Sequence, residues 1–520
     1  MIRLLSAKES KQADQQTISR GMPSEVLMER AALSVLHTMQ HAHMPLNRVL
    51  VIAGSGNNGG DGIAVARMLC EKGYTPAVLL TGNPDHFSEG MRHQMELLSW
   101  YDPVFVTSYT AGRYSVVVDA VFGVGLSREI TGRIKTLIES VNADPDVRVI
   151  AVDIPSGIDA DSGKICGAAL HAERTVTFAY GKPGLYLAPG AAFAGHVRVA
   201  PIGIPEPDAA ADGFSSRYLL QKEDLELLPA RDPFGNKGSC GKILAIAGSH
   251  TIYGAAYLSG RAALTAGAGM VWILTEEANR IPLAAAFPEA LISTYRDDLA
   301  DPGGLSSGDS LLEWADGVLI GPGIGTGRSA EILLTWILET YKGPVVLDAD
   351  ALNLIAKHRE MMQLLIRAGH GSNVPDDSGS YSRPCSEAGR IIVTPHLAEM
   401  SRLTGLSIDE IRKNIFETAE QFSRKTGAVC VLKDARTVIA YPDGSSYLMA
   451  SGSSALATAG SGDVLAGIIA ALHTAAPDPC ARSAALGDLI HGLAGAAAEK
   501  EHSARTVNAS DVIHYLHCFL

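Results

Sequence analysis

The sequence has few cysteines and no regular spacing between them. Its seven cysteines are odd in number, are scattered between Cys70 and Cys518, and include no C-x-x-C pair. This pattern excludes a disulfide framework and a cysteine-rich zinc site. It is typical of reduced thiols, so we expect a cytoplasmic protein.

The chain also lacks an excess of positive charge. Its 43 lysines and arginines stand against 56 acidic residues, which gives a formal net charge of −13 at pH 7. This balance argues against a nucleic-acid groove and against an anionic membrane surface. We therefore expect no nucleic acid and no membrane among the partners, and any bound phosphate should be held by backbone N–H groups and a few chosen cations.

No segment has the pattern of a signal peptide or of a membrane span. The N-terminus becomes polar within its first ten residues, which is too soon for a signal sequence. The most apolar long window, 455–476, contains Asp463 and several glycines. We interpret this window as a buried helix.

Small residues are abundant, since the 520 residues include 53 glycines and are 47% hydrophobic. A chain of this length needs more than one core, and glycine-rich joints suit an α/β protein. The short polar segment Pro205–Gly213 predicts a linker, and we expect two domains, at 1–210 and 218–520. Gly371–Gly389 has no apolar period and predicts a surface insertion.

A strand, a glycine-rich loop and a helix follow one another in the first half. Arg48–Ala53 is a continuous apolar run, Gly54–Gly62 is rich in glycine, and Ile63–Lys72 predicts a helix, as do residues 8–40 before them. Such a loop brings backbone N–H groups close to a phosphate. Two asparagines and an aspartate within it supply oxygen ligands for a hard cation.

Two further strands of the first half end in acids. Asp119 closes the apolar run from Tyr114, and Asp153 closes the run from Val147. A helix-capping or turn role is the commoner fate of any one such acid. Because the carboxyl ends of parallel strands meet at one edge, where open α/β sheets bind ligands, the acids together favour a site.

Three segments of the first half, Gly56–Gly62, Val121–Gly125 and Val152–Gly157, resemble the NAD(P)HX epimerase family. The resemblance covers most of residues 1–210 and implies a Rossmann-like three-layer domain that interconverts the R and S epimers of hydrated NADH and NADPH, called NADHX and NADPHX. It implies that Asp153 contacts the hydrated nicotinamide and transfers a proton there. Lys182 either faces the same site or is a surface lysine in a turn, and we favour the surface interpretation. The family pattern places the hydrate's phosphates at Asn57, Asn58, Gly59, Gly60, Asp61, Gly123, Val124, Gly125, Leu126, Ser127, Arg128 and Glu129, and potassium at Asn58, Asp119 and Ser156.

The second half repeats the pattern of strand, loop and helix. Apolar runs that predict strands begin at Lys242, Gly269, Gly317, Val345, Ile391 and Ala428, and Ala255–Thr265 predicts a helix. Repeated units of this kind predict a mostly parallel, doubly wound sheet whose ligand lies at the carboxyl ends of the strands.

The turn Gly460–Asp463 leads into the apolar segment Val464–Leu472, which predicts a helix. Free N–H groups and the positive end of the helix dipole make such a turn an anion site. A carboxylate there does not attract an anion, but it makes sense as a base beside a phosphate that the N–H groups hold. Capping of the helix by Asp463 is an equally good interpretation of this segment alone.

An ordered set of segments resembles the NAD(P)HX dehydratase family, which has a ribokinase-like fold. The segments are Lys237–Gly241, Gly321–Gly325, Leu347–Asn353, Thr394–His396, Leu432–Lys433 and Ala459–Gly467. The resemblance implies that ADP, with magnesium, phosphorylates the hydroxyl of the S epimer while Asp463 takes its proton, after which phosphate is expelled. It places the hydrate at Ala255, Gly323, His396 and Asp463, and the nucleotide at Lys433, Asp434, Ala435, Arg436, Thr437 and Gly462.

Two positions depart from this family pattern. Family members usually have glycine at the position of Asp434, and asparagine is common at the position of Ser453. A carboxylate beside the phosphates of ADP would repel them unless it points away or meets magnesium.

The two halves together resemble the bifunctional NAD(P)H-hydrate repair enzymes, and we expect a homo-oligomer. Two other hypotheses are a kinase of the pyridoxine or hydroxymethylpyrimidine type, fused to a non-catalytic binding domain, and a first half that serves as a scaffold, as in some RNA-processing proteins. The epimerase-like first half argues against the kinase. The presence of Asn58, Asp119 and Asp153, and the acidic charge, argue against the scaffold.

Overall fold

The structure is a computed structural model of the chain. It describes residues 1–126, 128–207, 213–296, 298–299, 308–371, 389–475 and 482–520. These residues form two compact units, Ile2–Ser216 and Arg217–Leu520. Ser127, most of the predicted linker and most of the predicted insertion lie outside the described residues. No described helix is long and apolar enough to cross a membrane.

The first unit alternates strands and helices. Its strands are β1 (Ile2–Leu4), β2 (Val49–Ala53), β3 (Ala77–Leu80), β4 (Val104–Val106), β5 (Val116–Ala120), β6 (Arg148–Val152), β7 (Arg174–Phe178) and β8 (His196–Ala200). Its helices are α1 (Ala7–Ser19), α2 (Ser24–His41), α3 (Asn57–Glu71), α4 (Glu89–Leu98), α5 (Gly132–Asn142) and α6 (Ala191–Ala194). Within this described part, seven strands form a parallel sheet in the order β4-β3-β2-β5-β6-β7-β8.

Apolar side chains project from both faces of this sheet. Val49 and Val51 of β2 join a core with α2 and α3, while Leu50 and Ile52 join another with α5. Successive strand side chains point to opposite faces, so an unbroken apolar strand must be covered on both sides. The predicted three-layer, Rossmann-like α/β class is therefore confirmed.

Two helix predictions for this unit are wrong in their bounds. The expected helix over 8–40 is two helices, α1 and α2, since Pro23 lies between them as the N-cap of α2. Helix α3 begins at Asn57 rather than at Ile63, so most of the predicted loop is helical. Its glycines allow this because a Cβ at Gly59 would overlap the carbonyl oxygen of Gly54, and only a bare backbone can pack so closely.

The second unit is built in the same way. Its strands are β9 (Ser216–Leu220), β10 (Lys242–Ile246), β11 (Met270–Glu276), β12 (Leu291–Tyr295), β13 (Gly317–Ile320), β14 (Val345–Leu347), β15 (Ile391–Val393), β16 (Val429–Leu432), β17 (Thr437–Ala440) and β18 (Ser445–Met449). Its helices are α7 (Tyr253–Thr265), α8 (Arg280–Ala286), α9 (Gly308–Trp314), α10 (Arg328–Thr340), α11 (Asp350–Lys357), α12 (Arg359–His370), α13 (Leu397–Thr404), α14 (Ile408–Lys413), α15 (Ile415–Thr426), α16 (Ser461–Ala475), α17 (Ser483–Glu501) and α18 (Ala509–Tyr515).

The strands of this unit follow the order β9-β18-β17-β16-β15-β14-β13-β10-β11-β12. Those from β16 to β12 are parallel, and β17 and β18 add an antiparallel hairpin. Helix α16 is buried, as expected for the window 455–476, and it shares a core with α7 and α17. The doubly wound, ribokinase-like α/β class is confirmed, and the strands that precede Asp348, Thr394 and Lys433 all end at one edge.

The close packing of α3 gives a stability prediction. Gly59→Ala should lower the free energy of unfolding of the first unit by about 1–3 kcal/mol, because the new methyl group meets the Gly54 carbonyl rather than a movable side chain. Gly254 also lies in a first helical turn but has open space around its Cβ position, so Gly254→Ala should be neutral or slightly stabilising. Calorimetric unfolding of the full chain measures both variants, and equal losses would contradict the prediction.

Candidate active sites

A buried ion pair lies at the carboxyl edge of the first sheet. Asp153 directly follows β6 and has a positive φ of 65°. Lys182 is only 3% exposed, and its Nζ donates to Asp153 Oδ1 over 2.6 Å. The interpretation of Lys182 as a surface lysine is therefore wrong. A buried ammonium needs a charged partner and further hydrogen bonds, and Asp153 is that partner.

The end of β7 completes the hydrogen bonding of this pair. Lys182 Nζ also donates to the Thr177 hydroxyl (2.9 Å) and to the Phe178 carbonyl oxygen (3.0 Å). The Thr177 hydroxyl in turn donates to Asp153 Oδ1 over 3.0 Å, and the Phe178 N–H donates to the same oxygen. In the described part of the chain, the hydrogen bonds that the Asp153 carboxylate accepts from Lys182, Thr177 and Phe178 all reach Oδ1, so Oδ2 can bind a ligand.

Asp119 and Ser156 are hydrogen-bonded to each other at the same sheet edge, and Asn58 packs against Gly123, which follows β5. Asp119 is fully buried, and Ser156 donates to its two oxygens through the backbone N–H (2.7 Å) and the hydroxyl (2.6 Å). Burial raises the pKa of Asp119 to about 6, although the bonds from Ser156 lower it. Asn58 Nδ2 is buried and has no hydrogen-bond partner among the described residues.

Carboxylate, hydroxyl and amide oxygens are the donor types that hard cations take. Asp119 supplies a single carboxylate, and no described lysine, arginine or histidine pairs with it. The unpartnered Asn58 amide and the Ser156 hydroxyl each carry an oxygen that can act as a cation ligand. Within the described ranges, no group of three histidine, cysteine or acidic side chains could hold a metal.

The two predicted phosphate segments come together in the first unit. Asn57, Asn58, Gly59, Gly60 and Asp61 form the first turns of α3, with backbone N–H groups at a helix N-terminus. The second segment follows β5, and its Gly123 packs against the Asn58 amide. The described residues of this segment are Gly123, Val124, Gly125, Leu126, Arg128 and Glu129.

Burial raises the pKa of Asp61 well above its ordinary value, and the charges of Asp153 and Asp14 raise it further.

A second aspartate–lysine pair lies in the other unit. Lys433 follows β16, and its Nζ donates to Asp348 Oδ1 over 2.9 Å. The Thr394 hydroxyl donates to the same oxygen over 2.6 Å. Burial lowers the pKa of Lys433, but the carboxylates of Asp348 and Glu399 outweigh it and the net pKa is raised. Lys433 is therefore a fixed positive charge.

Asp463 lies next to that charge. It is in the first turn of α16 and half-buried. Burial raises its pKa to about 7, with the Asp348 and Asp350 carboxylates adding to the effect and Lys433 opposing it. A Cβ on Gly462 would lie 3.5 Å from Lys433 Nζ. A cation, a helix N-terminus and a carboxylate that titrates near neutrality thus meet at one place, where they can hold a phosphate and move a proton.

His396 and Glu399 cap α13 beside this group. His396 Nδ1 accepts from the N–H groups of Ala398 (3.1 Å) and Glu399 (3.2 Å). Burial and the Lys433 charge lower the pKa of His396, and burial raises the pKa of Glu399 to about 7. The His396 Nδ1 is thus committed to the protein, and contact of this residue with a hydrate stays a prediction.

The other predicted residues divide into two groups. Gly323 packs against Ala255, since a Cβ on it would lie 3.0 Å from the Ala255 Cβ, so these two predicted hydrate residues are neighbours. Lys433, Asp434, Ala435, Arg436 and Thr437 link β16 to β17. Within that link, Asp434 faces Arg412 at 3.3 Å, Arg436 binds the Ala450 carbonyl, and Thr437 is buried.

The sequence interpretation gave no role to Asp488 and His491, and it favoured a surface position for Lys182. Lys182 stands in a glycine- and proline-rich segment that is typical of a surface turn, and no local signal marks it as buried. Asp488 and His491 could have been noticed in the sequence, because they are polar residues within the mostly small and apolar segment Ser483–Glu501. Both are nearly fully buried.

Comparisons with known proteins agree across the chain. A family model described as NAD(P)H-hydrate dehydratase matches residues 243–517, and one described as YjeF-related protein N-terminus matches residues 24–184. A bifunctional NAD(P)H-hydrate repair enzyme of Moorella thermoacetica is 35% identical over 99% of this chain and 96% of its own length. The enzyme of that name from Escherichia coli is 32% identical over 95% of this chain and 89% of its own.

A solved structure also matches the second unit. It is an ADP/ATP-dependent NAD(P)H-hydrate dehydratase from Bacillus subtilis, co-crystallised with ATP and Mg2+, with 29% identity and a TM-score of 0.47 over 58% of this chain and 97% of that chain. The full-length relatives and the two family models cover both units. The chain belongs to the family of bifunctional NAD(P)H-hydrate repair enzymes.

Proposed function

We propose that the chain repairs hydrated NADH and NADPH. The first unit interconverts the R and S epimers of NADHX and NADPHX, and the second unit converts the S epimer and ADP into NAD(P)H, AMP and phosphate. The observation that carries the proposal is Asp463, which has a pKa of about 7 and lies at a helix N-terminus beside Lys433. Full-length relatives favour this function over a kinase fused to a binding domain.

In the second unit, Asp463 acts as the base. Its carboxylate takes the proton of the hydrate's hydroxyl, the hydroxyl oxygen bonds to the β-phosphorus of ADP, and AMP leaves. The N–H groups of Gly460–Gly462 and the Lys433 ammonium stabilise the charge on the transferred phosphoryl group. The electron pair of the ring nitrogen then expels phosphate and leaves a ring iminium, and loss of a proton from the adjacent ring carbon to water restores the dihydronicotinamide. Phosphorylation matters because phosphate leaves far more easily than hydroxide.

Magnesium would reach this site on the nucleotide. When bound, it neutralises part of the phosphate charge. Its protein ligands are few in this proposal, because Asp434 is already paired with Arg412 and the described residues hold no cluster of three acidic, histidine or cysteine side chains. This arrangement fits a magnesium ion whose ligands are mainly phosphate and water oxygens and not a full set of protein side chains.

In the first unit, Asp153 transfers the proton. Lys182 and Thr177 fix Oδ1 of its carboxylate, so Oδ2 faces the hydrated ring and exchanges a proton there. The N–H groups of Asn57–Asp61 hold the phosphates, and the raised pKa of Asp61, caused by burial and nearby carboxylates, lessens its repulsion of them. Asn58, Asp119 and Ser156 would hold potassium, which supplies positive charge beside the phosphates.

Incubation of the full chain with ADP and the S epimer of NADHX tests the main activity. Absorbance at 340 nm should return, and substitution of ATP for ADP measures nucleotide preference. Asp463→Asn should lower the dehydration rate by at least about 100-fold because it removes the base, while epimerisation by the same preparation stays unchanged. No recovery of absorbance by the unmodified chain would overturn the proposal.

The pH profile of dehydration gives a separate prediction. The base must be ionised, and its pKa in the unliganded protein is about 7 because of burial. The apparent kcat/KM should therefore rise as pH increases from 5 to 7 and level off above about 8. A profile that is flat across this range would exclude Asp463 as the base.

Asp153→Asn should abolish epimerisation and leave dehydration of the pure S epimer intact. Asparagine tolerates positive φ, so the backbone at this position is preserved. Asp159→Asn is the matched control, since Asp159 lies in the same segment and its carboxylate, among the described residues, binds Ser162 and neighbouring N–H groups. Chromatographic separation of the R and S epimers without ADP measures the rate, and wild-type conversion by Asp153→Asn would refute its role.

Asp434→Gly tests the departure from the dehydratase pattern. If the Asp434 carboxylate repels the phosphates of ADP, its removal should lower the KM for ADP about two- to fivefold. A change of this size is expected because interactions between partly exposed charges are weak. Arg412→Ala, which removes the partner of Asp434, should raise that KM. Steady-state kinetics with varied ADP measure both, and a higher KM in Asp434→Gly would contradict the prediction.

A further inference from the structure

Helix α17 carries two polar side chains in an apolar environment. Asp488 is 2% exposed and His491 is 5% exposed, while their helical neighbours are mostly alanine, leucine, isoleucine and glycine. Residues three apart lie on the same helix face. Neither residue belongs to the proposed chemistry, yet burial of a polar group is costly unless it is hydrogen-bonded, so their partners are informative.

His491 binds the residue that starts α16. Its Nε2 lies 3.1 Å from the hydroxyl oxygen of Ser461, and a second hydrogen bond involves the Ser461 backbone. Burial and the Lys433 charge lower the pKa of His491 to about 4. The ring is therefore neutral near pH 7, with one nitrogen as donor and the other as acceptor. Ser461 directly precedes Gly462 and Asp463.

Asp488 binds the other segment of the site. It accepts a hydrogen bond from the side chain of Thr437, the last residue of the predicted nucleotide segment. Its Oδ2 has no hydrogen-bond partner among the described residues. One face of α17 thus touches both the nucleotide segment and the anion-binding turn of the dehydratase site.

Two glycines allow α17 to pack closely on the segment that precedes the turn Gly460–Asp463. A Cβ on Gly492 would overlap the carbonyl oxygen of Ser451, and one on Gly495 would meet the Leu456 side chain. Residues 451–456 lie just before the turn Gly460–Asp463. The helix therefore packs directly on the chain that enters the turn, next to the position where His491 holds Ser461.

We propose that His491 is a positioning residue for phosphoryl transfer, which fixes the turn Gly460–Asp463 through Ser461. The inference rests on the proposed dehydratase function. The N–H groups of this turn must point at the oxygens of the transferred phosphoryl group, and a shift of about 1 Å costs about 100-fold in rate. A glycine-rich turn cannot hold that geometry by itself, because glycine is the most flexible residue.

A set of histidine variants in the full chain tests this role. His491→Asn is too short to place an amide at the position of Nε2, whereas His491→Gln reaches it. His473 is the matched control, since it is buried on α16, lies 3.1 Å from the Ser483 hydroxyl and binds the Arg390 carbonyl at the far end of the helix.

His491→Asn should lower the kcat of dehydration about 10- to 100-fold, with the KM for ADP changed less than about twofold. His491→Gln should restore most of the rate. His473→Asn should reduce thermal stability to a similar extent but leave kcat within about twofold of the unmodified chain, because its contacts lie away from the turn.

Ser461→Ala gives a second route if His491→Asn fails to fold. This substitution keeps the backbone and removes the hydroxyl that His491 binds, so it should lower the kcat of dehydration in the same way. The double variant with Ser461→Ala and His491→Asn should lose little further rate. Equal kcat values for His491→Asn and His473→Asn, or an unchanged kcat in Ser461→Ala, would overturn the positioning role. Absence of dehydration by the unmodified chain would instead overturn the proposed function.

Discussion

Each unit is organised around a buried aspartate that binds a lysine ammonium at the carboxyl edge of a parallel sheet, and that lysine is buried in the first unit and half-buried in the second. The pairs are Asp153 with Lys182 at 2.6 Å and Asp348 with Lys433 at 2.9 Å, and the hydroxyls of Thr177 and Thr394 bind the same carboxylates. Removal of one partner of such a pair leaves a buried charge alone and costs about 3–5 kcal/mol. Both pairs therefore constrain the loops that carry them.

The two pairs serve their units differently. In the first unit the paired Asp153 is itself the proposed acid–base group, and the described bonds from Lys182, Thr177 and Phe178 use its Oδ1. In the second unit the paired Asp348 stays bound to Lys433, and a separate residue, Asp463, is the proposed base. Burial and the negative charge of Asp348 raise the pKa of Asp463, and Lys433 limits the rise. Because of this balance, Asp463 can act as a base near neutral pH, and its carboxylate can still lie beside a phosphate.

Local pattern in the sequence predicted the strands and the acids that follow them, because burial on both faces of a parallel sheet requires unbroken apolar runs. It placed Asp119, Asp153 and Asp463 in segments now seen at sheet edges or a helix N-terminus. It failed where long-range packing decides. Lys182 is buried by a partner 29 residues away in sequence, and Gly62 of α3 packs so closely on Ala120 of β5 that a Cβ on it would lie 2.4 Å from the Ala120 Cβ. The functional roles of all these residues stay predictions.

The order of elements along the chain has a consequence for synthesis on the ribosome. Helices α16 and α17 supply much of the core that covers β10 and β11, yet they are among the last elements made. At about 5–20 residues per second, residues 217–520 take roughly 15–60 s to emerge. During that time the first unit, complete at Ser216, can fold, while the early strands of the second keep an uncovered apolar face. Nascent chains of this protein thus need protection from aggregation mainly through their second half.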